Sequence, residues 1–280
     1  MKIHFAYKMN QDRAMKVCHA FIRSILNQGH QVWTNPDEAD CLVMYGLAPG
    51  HVILADKFRA AGKPVIIIDL GYWNRNHGLG VHAEYKISLG SHHPDQLLYA
   101  FEPKEDRFAR LHFQIEPWKT TGKHILLAGM GRKSYAYYGL PDLSWDMDTV
   151  RFLKQITDRS IVFRPKPSWR DCAPLSGTAF SAPSTSLGPV LNGAWCVVTH
   201  HSNVALDGLL LGIPCFTVEG AALSMSSKML EDVERPYYPT NRKDFFNRVC
   251  HFNWSIAEIE GGKCWQFLWD HWLKDWKRVC

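Results

Sequence analysis

THHSNVALDGLLLGIP, Thr199 to Pro214, follows the apolar run AWCVVT (Ala194–Thr199) and leads into PCFTV (Pro214–Val218). The two flanking runs are short, continuous and apolar, which suits strands covered on both faces. Between them Val204, Ala205, Leu206, Leu209, Leu210 and Leu211 make a nearly all-apolar segment, which predicts a buried helix over 202–211. Strand, polar turn, helix and strand form a βαβ unit, and hence part of a parallel sheet. Thr199, His200, His201, Ser202 and Asn203 are then grouped at the C-terminal end of a strand, where open α/β sheets bind ligands. A helix start there presents unpaired N–H groups and partial positive charge, which suit phosphate. Asp207 is the single charge in the helix; a ribose diol would satisfy a buried carboxylate. On the residues alone, Ser202 and Asn203 serve equally well as helix caps and Asp207 as an internal hydrogen-bond acceptor.

The same alternation extends upstream. His124–Ala128 reads as a strand ending in Gly129-Met130-Gly131, Trp145–Thr157 as a helix and Ser160–Arg164 as a strand. Residues 165–184 are loop-rich, and Thr185–Leu191 suits a short helix. In the first half, strands are expected at Lys2–Tyr7, Cys41–Tyr45, Val65–Asp69 and Tyr85–Leu89. Helices are expected at Asp12–Gln28, ended by Gly29, and Val52–Ala61, ended by Gly62. Phe101–Gly122 is charged and weakly periodic, and reads as a crossover. The expected fold is α/β: two Rossmann-like domains facing a cleft, over residues 1–115 and 116–255, with a helical segment 256–280 packing back on the first. A single larger sheet is the structural alternative. Asn241–Phe252 is helical in pattern, and so is Ile256–Lys277, where Trp265, Trp269, Trp272 and Trp276 fall on one face. That stripe reads as packing before it reads as a stacking surface for bases or sugars.

The chain has 280 residues, 46% hydrophobic and 21% charged, which is globular and not disordered composition. A formal charge of +5 favours an anionic partner such as a nucleotide, nucleic acid or acidic glycan. The eight cysteines form no C-x-x-C pair, and several lie in apolar runs, as in a reduced, cytoplasmic protein. MKIHFAYKMNQDR lacks the apolar core of a leader, and no apolar run approaches the roughly 20 residues of a membrane span. Any membrane association is therefore expected to be peripheral.

Thr199–Pro214 resembles the donor-binding region of GT-B glycosyltransferases, and most of all the capsular-polysaccharide group that includes Kdo transferases. Those sequences carry a strand, a polar turn with Ser or Thr, an apolar helix with one acidic residue, and L-L-G-x-P. Two further stretches agree. SIVFR followed by PKP (through Pro167) resembles that group's R-P-H-P stretch, with Lys166 in place of the histidine. IIIDLGYWNR (Ile66–Arg75) resembles the acidic, glycine and aromatic run that ends an N-terminal strand, and WSIAEIEGGKCWQFL (Trp254–Leu268) a C-terminal element. The resemblance covers 160–220 well and 64–76 moderately; elsewhere it is one of architecture.

The resemblance implies a nucleotide sugar held by the C-terminal half and an acceptor against the N-terminal half. Ser202 and Asn203 would face the phosphates, with Thr199, His200 and His201 beside them. Arg164 and Lys166 would supply positive charge for the leaving group, and Asp207 would meet the ribose. Gly131, Arg132 and Lys133 form a second glycine- and cation-bearing turn that could reach the same phosphate. An inverting transfer needs a general base, and Asp69, at the end of a buried strand before Gly71, is the first choice. His77, His82, His92 and His93 stand behind it. Tyr72, Trp73, Arg75, His77 and His82 are expected on the acceptor side. No D-x-D cluster points to a metal, since the acids of DMD at 146–148 suit a helix start; no metal and no cofactor beyond the co-substrate are expected. The mixture of cations and aromatics in WNRNHGLGVH and KPSWRD suits a DNA-facing cleft and a phosphate-rich sugar nucleotide equally; the favoured acceptor, by a small margin, is a hydroxymethylated pyrimidine base in DNA, as in phage DNA glycosyltransferases, where the host cytoplasm would be the location. A capsular or surface polysaccharide is the alternative acceptor. A nucleotide-sugar epimerase or a non-catalytic nucleotide-sugar binder is the alternative activity.

Overall fold

A computed structural model describes residues 1–75 and 82–278, so His77 lies outside the described residues. The chain divides into two compact units, Met1–Lys104 with Arg248–Cys280, and Glu105–Asn247. Residues 105–115 go with the second unit. The backbone N–H groups of Arg107 and Phe108 donate to Asn247 Oδ1 (2.7 and 3.3 Å), and the Phe108 ring stacks on Phe246 at 5.2 Å. The two units divide in sequence at 104/105 and 247/248.

The first unit is a six-stranded sheet. Its strands are β1 (Lys2–Ala6), β2 (Gln31–Val32), β3 (Cys41–Tyr45), β4 (Val65–Leu70), β5 (Glu84–Leu89) and β11 (Asn253–Ser255), in the order β11-β5-β4-β3-β1-β2. Helix α1 (Asp12–Asn27) buries Ala14, Val17, Cys18, Phe21 and Ile25, the stripe that its periodicity prescribes. Gly29 stops it at φ +79°. Helix α2 (Pro49–Ala60) follows β3. Every residue of β3 is buried, as a strand covered on both faces requires.

Two strands break the parallel expectation. β5 runs antiparallel to β4, with Asp69 opposite Lys86, and β11 runs antiparallel to β5. The β4–β5 connection carries no crossover helix among its described residues, so it returns the chain as an antiparallel neighbour.

The tail also differs from a single helix. α8 (Ile256–Glu260) opens with a capping box, Ser255 and Glu258, and stops at Gly261-Gly262, where Gly262 has φ +86°. α9 (Lys263–His271) ends at Trp272, and residues 273–278 form a tight 3₁₀ segment. The tryptophan stripe is split accordingly. Trp265 is fully buried against Phe21 and His30 (ring centroids 6.0 and 4.8 Å). Trp272 packs with Phe101 and Phe252 instead, so both serve packing within this unit.

The second unit is a five-stranded parallel sheet of β6 (His124–Ala128), β7 (Ser160–Arg164), β8 (Ala179–Phe180), β9 (Ala194–Thr199) and β10 (Cys215–Thr217). Its order is β10-β9-β6-β7-β8. The first strand in sequence, β6, therefore sits between β7 and β9, and the chain winds outward from it in both directions. That is the doubly wound Rossmann arrangement, whose switch point lies between β6 and β9. The connecting helices are α3 (Arg132–Tyr137), α4 (Ser144–Ile156), α5 (Leu187–Asn192) and α6 (Val204–Leu210), and α7 (Arg242–Cys250) leads the chain back to the first unit. Gly208 lets α6 lie close on the sheet, because a Cβ there would stand 3.0 Å from Val197 Cγ2. No helix among the described residues is long and apolar enough to cross a membrane.

Candidate functional site

In the second unit, strand register puts Ala128 level with Arg164 on one side and Thr199 on the other, with Thr217 beyond. These residues form the C-terminal edge at the switch point, the place where this architecture leaves a crevice. Thr199 is buried, and its hydroxyl joins the two central strands: it donates to the Ala128 carbonyl (2.7 Å) and accepts from Ser202 N–H (3.2 Å). Ser202 Oγ accepts from Val204 N–H at 3.3 Å, a local turn that begins α6 two residues later than the pattern predicted. Ser202 and Asn203 are half-buried beside it. Asp207 is also half-buried, not the enclosed carboxylate that its apolar neighbours suggested.

His200 and His201 are both buried, at 6% and 7% exposure, and are hydrogen-bonded to each other Nδ1 to Nδ1 at 3.1 Å. The far nitrogen of His201, Nε2, meets Ser134 Oγ of α3 at 3.2 Å. The His200 carbonyl accepts from the N–H groups of Val218 and Glu219 (3.0 and 2.8 Å), which fixes the turn to the end of β10. Tyr138 lies against both imidazoles, at 4.5 and 5.4 Å, and Trp145 against His200 at 5.5 Å. Tyr138 Oη donates to Glu219 at 2.5 Å. Burial pushes the His200 pKa below its ordinary range, with the Glu219 carboxylate opposing. Gly220 must be glycine here: its φ is +100°, and a Cβ would stand 3.2 Å from His201 Cα.

The cations expected at this edge divide. Lys166 is exposed, and its side chain lies over the β6 turn, where a Cβ on Gly131 would come within 3.0 Å of Lys166 Cδ. Lys133 is exposed at the start of α3. Arg132 is exposed too, paired with Asp142 and Asp171 (3.4 and 3.2 Å) and lying over the Trp169 ring. Arg164 is a correction. Its guanidinium is buried and donates to Ser181 Oγ, the Ala182 carbonyl, Thr185 Oγ1 and the Thr185 carbonyl, at 2.6 to 3.1 Å. It holds the 181–185 loop instead of facing a leaving group, because that loop returns over the end of β7 and offers acceptors that a buried guanidinium needs.

In the first unit, Asp69 is half-buried at the end of β4. Its Oδ1 accepts from Leu70 N–H (2.8 Å), and its Oδ2 lies 3.0 Å from His92 Nε2. Lys86, buried on the adjacent antiparallel strand, places Nζ 3.1 Å from the same nitrogen. The structure thus joins the first-choice base to one of the four histidines ranked behind it. His93 is buried, with its ring 4.5 Å from His92, and His82 is exposed.

The aromatic residues expected on the acceptor side do not line a surface. Tyr72 and Trp73 are buried, and Tyr72 N–H donates to Asn253 Oδ1 at 2.8 Å. Gly71 allows this close approach of β11; a Cβ would stand 2.6 Å from the Glu84 carbonyl and 2.7 Å from Asn253 Oδ1. Asn253 in turn donates to the buried Glu84 carboxylate. Arg75 is exposed and folds back on the Tyr72 carbonyl (2.7 and 3.0 Å).

Three residues of these clusters escape the sequence reading: Ser134, Tyr138 and Lys86. Ser134 sits on a six-residue helix too short for a periodic signal, Tyr138 stands just past its end, and Lys86 acquires its place from an antiparallel register that the alternation did not announce.

No protein-family model and no curated protein matches the sequence. The solved structures do offer likenesses. The β-Kdo 2,4 transferase of KpsC from Thermosulfurimonas dismutans is 12% identical, with 89% of this chain and 90% of that chain covered, at a TM-score of 0.57. The β-Kdo 2,7 transferase of KpsC from the same organism is 11% identical, with 95% and 99% covered, at 0.56. At such identities the likeness speaks for the fold alone, and it agrees with the resemblance carried by Thr199–Pro214 and the Arg164–Pro167 stretch. The chain has a GT-B glycosyltransferase-like fold, with a doubly wound sheet in its second unit whose switch-point edge is built by Thr199, His200, His201 and the Gly129–Gly131 turn.

Proposed function

We propose that this protein is a glycosyltransferase that takes its sugar from a nucleotide sugar bound by the second unit. The observation that carries the reading is the β6–β9 switch-point edge, where Thr199 ties the strands and the polar turn 199–203 stands beside the glycine turn 129–131. In this reading Ser202, Asn203 and the Gly131 turn receive the phosphates, Lys166 and Lys133 bring positive charge to them, and Asp207 meets the ribose. Asp69 of the first unit removes the acceptor proton, oriented by His92 at 3.0 Å. The acceptor oxygen attacks the anomeric carbon, the bond from that carbon to the phosphate oxygen breaks, and its electron pair leaves with the nucleotide. One displacement inverts the anomeric configuration, and side-chain cations serve in place of a metal.

The lean towards DNA finds no support. Trp73 and Trp169, the rings in the two loops that suggested base stacking, are buried. A capsular or surface glycan fits no better, so both acceptors belong in the assay. Nucleotide release is measured across a panel of nucleotide sugars, with hydroxymethylated DNA or oligosaccharide acceptors and with a chelator present. Transfer to a hydroxyl with inverted configuration and undiminished by chelator supports the whole reading. Free sugar with no transfer to any hydroxyl overturns the transferase. Asp69→Asn should abolish transfer and leave nucleotide binding intact; retained turnover would remove Asp69 as the base.

A further inference from the structure

Ser134, His201 and His200 form one hydrogen-bonded chain from α3 to the end of β9. Two Nδ1 atoms 3.1 Å apart need one proton between them, so in the neutral pair one ring donates and the other accepts. If His200 donates, His201 carries its proton on Nε2 and gives it to Ser134 Oγ. If His201 donates, its Nε2 is bare and takes the Ser134 hydroxyl proton. One extra proton is tolerated, because a doubly protonated ring still donates to its neutral partner. A second is excluded, since two N–H groups would then face each other. The pair therefore has room for one positive charge.

Facing it among the described residues are Ser134 of α3, Tyr138 just past the end of that helix, Trp145 of α4, and Glu219 just beyond β10. Glu219 is the charged member of that set, and its carboxylate is already engaged by Tyr138 Oη. Arg164, the arginine on this strand edge, is turned into its loop. Among the described residues, an anion at the switch-point edge therefore meets the exposed Lys133, Lys166 and carboxylate-paired Arg132, and behind them this buried imidazole pair.

We propose that the His200–His201 pair takes up one proton when the phosphate of a sugar nucleotide binds at the β6–β9 edge, and that Ser134 is the positioning residue that sets the pair. The inference rests on the donor-site reading above. The proton comes from solvent and resides on a ring nitrogen; no covalent bond to phosphate forms. Burial keeps His200 neutral in the free protein, and a nearby anion restores its basicity, because opposite charges attract strongly where water is thin.

The test uses the whole protein and sugar nucleotides of the uridine, thymidine, guanosine and cytidine series, whose phosphates carry no group titrating near neutral pH. Binding is followed by calorimetry at about pH 7.5 in two buffers of different ionisation heat, and the difference gives the protons taken up. Uptake approaching one proton is expected, with affinity falling about tenfold per pH unit above the free-state titration, as linkage requires. His200→Asn should abolish the uptake, weaken binding about a hundredfold near pH 6 and leave it within about twofold near pH 8.5, the span of roughly two pH units that near-complete uptake requires. Ser134→Ala should shift the pH midpoint of binding, and Ser134→Thr, which keeps the hydroxyl, should restore it. A purely structural role for either residue would lower affinity equally at every pH. Binding without proton uptake in the unaltered protein overturns this inference and leaves the donor site standing. Failure of every sugar nucleotide to bind at any pH overturns both.

Discussion

Asp146→Asn should make the protein more stable at alkaline pH and flatten its dependence on pH. Asp146 lies in the first turn of α4 with no exposed surface, beneath Gly129, where a Cβ would stand 3.2 Å from its Oδ2. Burial raises its carboxyl from 3.8 to about 7; the Tyr135 hydroxyl, donating at 2.6 Å, and the Met130 backbone N–H offset part of that rise. The folded chain thus binds more protons here than the unfolded chain does between about pH 4 and pH 7, so stability is lost as pH rises through that window. A displacement of about three pH units corresponds to about 4 kcal/mol when the group is fully ionised. Of this, about 2.5 kcal/mol accrues between pH 5 and pH 8. Asparagine presents a carbonyl oxygen to the Tyr135 hydroxyl but has no charge to desolvate. After about 1 kcal/mol is allowed for a weaker hydrogen bond, a gain of about 2–3 kcal/mol remains near pH 8, shrinking to about zero near pH 5. Urea unfolding at a series of pH values, followed by calorimetry and by tryptophan emission, measures the difference. Parallel pH profiles for the two proteins, or a variant less stable at pH 8, would refute the reasoning.

Two further substitutions separate structural from ligand-binding roles. Arg164→Lys keeps the charge but cannot span the acceptors of the 181–185 loop; it should cost about 2–4 kcal/mol of stability and open that loop to limited proteolysis, whereas a phosphate ligand would show unaltered stability and weakened nucleotide binding. Gly71→Ala places a methyl 2.6 Å from the Glu84 carbonyl and 2.7 Å from Asn253 Oδ1, so denaturant unfolding should show a loss of about 2–4 kcal/mol, and an unchanged midpoint would mean that β11 yields freely.

Much of the α/β plan was legible because a strand buried on both faces leaves a continuous apolar run. Cys41–Tyr45, Val65–Leu70, His124–Ala128, Ser160–Arg164 and Ala194–Thr199 all take that form, and glycines such as Gly29 mark where helices stop. Short elements were not legible. β2, β8 and β11 have two or three residues, and α3 has six, too few for a period to show. The C-terminal tryptophans kept a helical spacing from Trp265 to Trp276 although α9 itself ends at His271.

The sequence by itself determined where the switch-point turns fall, since a polar group between a buried strand and an apolar helix can stand only at a strand end. It also placed Asp69 at the end of its strand. Only the tertiary structure decided what those side chains meet. Arg164 reads as a free cation until the chain returns, 17 to 21 residues later, with the acceptors that bind it. Asp69 acquires His92 and Lys86 from a strand whose direction local pattern does not encode. His200 and His201 read as two adjacent polar residues; Ser134, 67 residues before His201, makes them one chain. The physical reason is common to all three: burial obliges each polar group to find a partner, and the partner is chosen by the packing of distant segments, which no local spacing records.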